Sequence, residues 1–281
     1  MHKRTFSWKA ADGVNIHGCE WQSAEPKAVV CLTHGLGEHI ERYEHMAHWF
    51  NARGFAVIGF DRRGHGQSGG KRGHSPALEV LLDEIAQLLV EARTAYEDLP
   101  LFLYGHSQGG GLALSYVLRR NPRIAGVIAS GPWIQLSFTP PAALIVLGKL
   151  MRKWYPGFLQ PNNLDPKLLS RDADVVEAYE QDPLVHDRIS AAVGIDMMKE
   201  GDWIMKQKGG FPIPLLIIHG TADGVTSVEA SEAFTGQLEG DVTFKAWPEM
   251  YHELHNEPEK EQVFQHVSDW LNARLKPLNG L

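Results

Sequence analysis

Leu101-Phe102-Leu103-Tyr104-Gly105-His106-Ser107-Gln108-Gly109, followed by Leu112-Ala113-Leu114-Ser115-Tyr116-Val117-Leu118, decides how this chain folds. The first apolar run reads as a strand and the last as a helix, so Gly105 to Gly109 is a sharp strand-to-helix turn. A serine on such a turn sits in strained backbone and is crowded by its neighbours, so small residues are needed two positions to either side. Gly105 and Gly109 meet that demand, which makes Ser107 the candidate nucleophile. The same G-x-S-x-G pattern recurs at Gly66-Gln67-Ser68-Gly69-Gly70. There no helix follows until Pro76, and Ser68 reads as a flexible loop serine. The loop also fails as a phosphate cradle, because Gly70 stands where a lysine is required.

Outward from the turn, the apolar runs Val29–Thr33, Phe55–Phe60, Ala125–Ala129, Leu215–His219 and Val242–Ala246 join Leu101–Tyr104 as expected strands. Consecutive apolar residues suit strands covered on both faces of a parallel sheet. A hairpin turning at Asp12-Gly13 is expected at the start. Leu78, Leu81, Leu82, Ile85, Leu88, Leu89, Ala92 and Tyr96 predict a helix opened by Ser75-Pro76. Thr226 and Glu229 have the spacing of a capping box, and Val263, Val267, Trp270, Leu271 and Leu275 share one face of a last helix behind a cap at Asn256. The alternation predicts an α/β fold, a mostly parallel sheet with helices on both faces. It lapses between Trp133 and Phe211, where helical pieces occur without a clear strand. The expected organisation is a core of residues 1–132 and 212–281 with a mainly helical lid inserted at 133–211.

Composition bounds the function. The chain has 281 residues, 43% hydrophobic and 22% charged, with 27 basic against 34 acidic residues and a net charge of −7. That is globular, and it offers no basic surface for nucleic acid. Cys19 and Cys31 are too few for a disulfide framework, which makes a reducing compartment the default. No apolar segment follows the basic residues of Met1 to Lys9, so a secretory signal is not expected and the cytoplasm is. Ile124 to Gly148 carries no charge and is long enough to span a bilayer, but Pro132, Pro140, Pro141, Gly126 and Gly131 interrupt it.

A serine hydroxyl attacks well only when an imidazole takes its proton and a carboxylate steadies that imidazole. With this turn the order along the chain is serine, acid, histidine. Asp223 follows the strand at Leu215–His219, where open α/β sheets gather their functional groups, although an aspartate there also suits a turn. His252 follows the last strand and is favoured over His255 by its nearness to the strand end. Two backbone N–H donors for a developing oxyanion are expected at Gln108 and at Leu36 in His34-Gly35-Leu36-Gly37. No Cys/His cluster has metal-ligand spacing, so no metal is expected, and the chemistry requires no cofactor.

Together these motifs resemble the α/β-hydrolases of the monoacylglycerol lipase and lysophospholipase type, from about Val14 to Leu275. The matching pieces are His34-Gly35-Leu36-Gly37-Glu38-His39 with Arg42-Tyr43, Asp61-Arg62-Arg63-Gly64-His65-Gly66-Gln67-Ser68, the turn at Gly105 to Gly109, the loop His219 to Asp223, and Tyr251-His252-Glu253. Ser170-Arg171-Asp172, Tyr179 and Asp182-Pro183-Leu184 resemble that family's lid. The resemblance implies a Ser107–Asp223–His252 triad, an oxyanion hole at Leu36 and Gln108, and a lid over an acyl pocket. Gln108 departs from the methionine many members carry. Glu38, Arg42 and Arg63 are expected to order the loops around the site. The expected function is a serine carboxylic ester hydrolase that forms an acyl-enzyme on monoacylglycerols, lysophospholipids or similar esters. Leu144, Leu147 and Met151 are candidates for lining the acyl pocket. The same triad serves thioesterases, peptidases and acyltransferases, and a ligand-binding module without turnover is the alternative from another class. The expected partner is a small acyl ester, with transient contact of the lid at a membrane surface. Acyl length, head group and oligomeric state are not encoded legibly.

Overall fold

The computed structural model describes residues 2–275. The chain opens with a hairpin of β1 (His2–Lys9) and β2 (Asn15–Gln22), then alternates β3 (Ala28–Thr33), α1 (Glu44–Asn51), β4 (Phe55–Phe60), α2 (Leu78–Ala95), β5 (Leu101–His106), α3 (Gln108–Arg120) and β6 (Gly126–Ser130). Between β6 and the next long strand lie α4 (Ala142–Trp154), β7 (Leu159–Pro161), α5 (Ala173–Gln181), β8 (Arg188–Ser190), α6 (Ala191–Ile204) and β9 (Gly209–Gly210). The chain then completes β10 (Leu215–Gly220), α7 (Val228–Gly236), β11 (Leu238–Glu239), β12 (Val242–Trp247) and α8 (Lys260–Asn272).

Eight strands form one sheet in the order β1-β2-β4-β3-β5-β6-β10-β12. The first two pairings are antiparallel and the rest parallel. This is the expected mostly parallel α/β-hydrolase sheet.

The central strands β3, β4, β5, β6 and β10 are buried along their whole length, and each serves two cores by alternation. Val29, Cys31, Leu101, Leu103, Leu215 and Ile217 pack with α2 and α3 on one face. Val30, Leu32, Phe102, Tyr104, Leu216 and Ile218 pack with α1 and α8 on the other. Side chains that alternate across a strand thus bury both faces, each large apolar side chain contributing roughly 1.5–3 kcal/mol. Cys19 and Cys31 lie in different cores, and burial pushes both thiols up to about 12.

Several local expectations are corrected. Helix α2 starts at Leu78 behind an extended Ala77 with no side-chain cap, and Ser75 bonds back to the Ala77 carbonyl before the helix begins. The cap of α7 is Ser227, whose hydroxyl accepts from the Ala230 N–H, because Thr226 is engaged elsewhere. Asn256 belongs to a short 3₁₀ turn and donates to Glu253; α8 is preceded by Glu259. The stretch 133–211 does contain strands: β7 and β8 pair antiparallel, and β9 pairs with β11.

The uncharged run is divided among β6, a connecting segment and the start of α4. No helix among the described residues is long and apolar enough to cross a membrane. Helix α6 packs against α3, while α4 rests on α6 through Gly148 against Ile195 and the ion pair Arg152–Asp196. The outer side of α4 exposes Val146, Leu147, Leu150 and Trp154.

Candidate active site

Ser107 stands between β5 and α3 with φ 54° and ψ −119°, a combination an L-residue adopts only when its surroundings force it. The surroundings do so by contact. A Cβ on Gly105 would meet the Gly109 carbonyl oxygen at 2.3 Å, and one on Gly109 would meet the Thr33 oxygen at 2.3 Å. Residues 105–109 are therefore clamped between β3 and the first turn of α3. Ser107 N–H donates to the Ser130 carbonyl, and the Ser107 carbonyl accepts from Gly111 and Trp133.

His252 Nε2 lies 2.9 Å from Ser107 Oγ, and its Nδ1 lies 2.7 Å from Asp223 Oδ2. The three groups come from the carboxyl ends of β5, β10 and β12, as the fold's geometry requires. Asp223 serves both readings of its loop at once. Its Oδ1 accepts the N–H groups of Val225 and Thr226, as a turn aspartate does, while Oδ2 faces His252. His219 Nε2 at 3.0 Å and Thr226 Oγ1 at 2.9 Å complete the surroundings of Oδ2.

Burial would push the Asp223 carboxyl up, but His252 and His219 hold it well below the usual carboxylate range. Burial likewise opposes protonation of His252, and the Asp223 carboxylate outweighs it and raises the imidazole above 6.5. The neighbouring His106 contributes no charge, since burial depresses it to about 3.

His255 does not approach Ser107. It is fully buried, stacks on Tyr43 with ring centres 4.4 Å apart, and among the described residues neither ring nitrogen has a hydrogen-bond partner. Ser68 is likewise held away from the site, and it is not the flexible loop serine expected. It is buried, donates to the Asp61 carbonyl and accepts the His17 N–H at 2.8 Å, tying its loop to the hairpin.

Leu36 and Gln108 flank Ser107, and among the described residues neither N–H has an acceptor. A Cβ on Gly35 would lie 3.2 Å from Ser107 Cβ, so the Gly35–Leu36 peptide passes directly beside the serine. Glu38 fixes that turn by accepting the Gly35 N–H at 2.6 Å and the Tyr43 hydroxyl at 2.7 Å. Arg42 bridges Glu38 and Glu253 beside the site, whereas Arg63 ties its loop to Glu84 of α2 and to Asp12 of the first hairpin turn. Glu38, Glu253 and His255 lie near enough to share an ion, but the Arg42 guanidinium already supplies the positive charge between the two carboxylates.

Ser107 and His252 open onto a cavity of about 390 Å³ lined by Leu36, Trp133, Leu136, Phe138, Ile145 and Met198 among others. That size is within the range of small-molecule sites. Leu144 lines it, but Leu147 and Met151 do not; the inward face of α4 runs through Ile145 and Gly148, and Leu147 is 41% exposed. Asn162, Asn163 and Asp165 add polar groups to the lining.

Sequence reasoning missed His219, Thr226 and Arg62. Thr226 was placed at a helix cap, yet it stands three residues after Asp223 in the same turn, which is the signal that would have found it.

The family model described as serine aminopeptidase, S33, matches residues 24–259. An abhydrolase domain-containing protein of Dictyostelium discoideum, described as uncharacterized, is 40% identical over 90% of this chain, which spans 27% of that longer protein. A monoacylglycerol lipase of Mycolicibacterium smegmatis is 34% identical, with 96% of this chain and 97% of the relative covered. The crystal structure of Paleococcus ferrophilus monoacylglycerol lipase superposes with a TM-score of 0.82 at 34% identity, covering 98% of this chain and all of the other. With a family match along most of its length and relatives of this kind, the chain belongs to the α/β-hydrolase family described as serine aminopeptidase, S33, among its monoacylglycerol lipase-like serine hydrolases.

Proposed function

We propose that this chain is a serine carboxylic ester hydrolase whose Ser107, His252 and Asp223 form the catalytic triad. The observation that carries the reading is the unbroken hydrogen-bonded series Ser107–His252–Asp223 at the edge of a largely apolar cavity. Ser107 Oγ attacks the acyl carbon as His252 Nε2 takes its proton, and Asp223 stabilises the imidazolium. The N–H groups of Leu36 and Gln108 receive the oxyanion. His252 then protonates the departing alcohol, and water, activated by the same imidazole, hydrolyses the acyl-enzyme and restores Ser107.

The substrate class is an acyl ester of the monoacylglycerol or lysophospholipid kind. The apolar lining suits an acyl chain and the asparagines within it suit a hydroxylated head. Residues 133–211 act as the lid. The exposed Val146, Leu147, Leu150 and Trp154, with Lys149 and Lys153 between them, support uptake of substrate from a lipid surface. Relatives named as monoacylglycerol lipases favour the same reading.

Labelling with a serine-directed phosphonate tests the assignment. Wild type and Ser68→Ala take one label each and Ser107→Ala takes none. Labelling of Ser107→Ala would overturn the assignment.

A further inference from the structure

Arg62 is among the most deeply buried large side chains of the molecule, 1% exposed, and among the described residues it has no carboxylate in hydrogen-bond contact. Its neighbour Arg63 takes Glu84 and Asp12, and Glu38 is taken by Arg42. Burying a guanidinium without a paired anion is costly, and here burial draws it down to about 10, with Glu38 and Glu84 opposing only from a distance. A group kept in that condition needs a reason, and its contacts supply one.

The two terminal nitrogens of Arg62 reach two particular residues. Nη1 donates to the side-chain oxygen of Gln108 at 2.8 Å, and Nη2 donates to the carbonyl oxygen of Gly35. These are the two places that present the N–H donors beside Ser107. Gln108 bears one of them. The other belongs to Leu36, and it shares a peptide plane with the Gly35 carbonyl. In a planar trans peptide the N–H points opposite to the C=O, so a cation gripping the Gly35 oxygen directs the Leu36 N–H away from itself.

A second donor acts on the same oxygen. The Arg62 N–H donates to His34 Nε2 at 2.9 Å, which leaves the proton of this buried, neutral imidazole on Nδ1, and Nδ1 lies 2.8 Å from the Gly35 oxygen. Two donors on one carbonyl, one of them charged, polarise the peptide and make its N–H a stronger donor.

We infer that Arg62 is a positioning residue for the oxyanion hole, holding and polarising the Leu36 N–H through Gly35 while it anchors Gln108. The pairing also accounts for glutamine following the nucleophile. A methionine there would leave Nη1 without its acceptor. The inference rests on the triad reading above, because it assigns a task to Arg62 only if an oxyanion forms next to Ser107.

The test compares wild type, Arg62→Met, Arg62→Lys, Gln108→Met and Ser107→Ala. Each is assayed for kcat and KM on a short-chain p-nitrophenyl ester. Each is also titrated with an alkylboronic acid, which binds serine as a tetrahedral anion, and with the matching alkyl alcohol, which does not. Losing an oxyanion donor outright costs about 10²–10³ in rate, so a residue acting through the donor should cost about 10- to 100-fold. The expected result for Arg62→Met is that loss in kcat, with KM changed less than about twofold, a parallel loss in boronate affinity and unchanged alcohol affinity. Arg62→Lys keeps the charge but not the fork and falls between.

If Arg62→Met does not fold, Arg62→Lys and Gln108→Met show the same pattern at smaller amplitude. Unchanged boronate affinity in the folded variants overturns the inference. So does a parallel loss of boronate and alcohol affinity, the mark of a purely structural role. Wild-type turnover by Ser107→Ala overturns the triad instead. An inactive Ser107→Ala beside a fully active Arg62→Met overturns the role of Arg62 alone.

Discussion

Replacing Arg42 with methionine removes a cation that ties the Leu36 loop to the His252 loop. Arg42 Nη1 lies 2.7 Å from Glu38, and its two terminal nitrogens each lie 2.7 Å from one oxygen of Glu253. Both carboxylates are about 2% exposed. Methionine keeps the stem but leaves two buried acids side by side with no counter-charge, and breaking a buried ion pair in this way costs about 3–5 kcal/mol.

The loss depends on pH, with a definite sign. In the wild type, burial pushes the Glu253 carboxyl up, but Arg42 overcomes this and holds it well below the usual carboxylate range. Its contribution is therefore fully present above the unfolded value of ~4.3 and is lost only as pH falls through the lower folded value. Glu38 is pushed up by burial even with Arg42 in place. In the variant no guanidinium opposes burial of the two carboxylates, both rise, and the variant gains stability as protons bind between pH 7 and pH 5. Urea denaturation followed by tryptophan fluorescence should give a loss of about 3–5 kcal/mol at pH 7, distinctly smaller at pH 5. A loss under about 1 kcal/mol at pH 7, or an equal loss at both pH values, would refute the reasoning. The double variant Arg42→Met/Glu253→Gln should recover part of the loss, since one buried charge is gone.

Three further outcomes follow from the same geometry. Ser68→Ala strands the His17 N–H and should cost about 1–2 kcal/mol in urea titration while kcat stays at the wild-type value; a drop in kcat would give Ser68 a part in the chemistry. Gly109→Ala forces a Cβ to within 2.3 Å of the Thr33 oxygen, and it should destabilise by about 1–3 kcal/mol and abolish phosphonate labelling; a folded, fully labelled variant would contradict the steric account. Because Asp223 raises His252, which must be neutral to take the proton, kcat/KM should fall with acidity through an inflection above 6.5. A flat profile from pH 8 to pH 5 would remove His252 as the base.

The sheet and the position of Ser107 were legible because both are dictated locally. Apolar runs of strand length mark a two-sided sheet, and the pattern Gly105 to Gly109 is read off five consecutive residues, although only Gly105 answers to a contact inside that turn and Gly109 answers to the Thr33 oxygen of β3. Asp223 and His252 could be placed from their distance past a strand end. What escaped was whatever depends on contacts distant in sequence. Arg62 meets Gly35 and Gln108 across 27 and 46 positions, and nothing in Asp61-Arg62-Arg63 says which arginine turns inward. Strands β7 and β8 have three residues each, too short to show a period. Adjacent Thr226 and Ser227 suit a helix cap equally in sequence, and only the pull of Asp223 on Thr226 decides between them. Leu147 and Met151 do not line the cavity because α4 turns the side of Ile145 and Gly148 toward it and leaves Leu147, Leu150 and Trp154 exposed, the reverse of what its amphipathic pattern suggests.

The central claim is that Ser107 carries ester hydrolysis in an acyl-selective cavity. Its most direct test is steady-state hydrolysis of a monoacylglycerol series of increasing chain length by wild type and Ser107→Ala, each confirmed folded. The account predicts turnover that rises with chain length until the cavity is filled, and a loss of at least about 10⁴-fold in Ser107→Ala. Wild-type rates in Ser107→Ala, or no hydrolysis of any member of the series by the wild type, would contradict it.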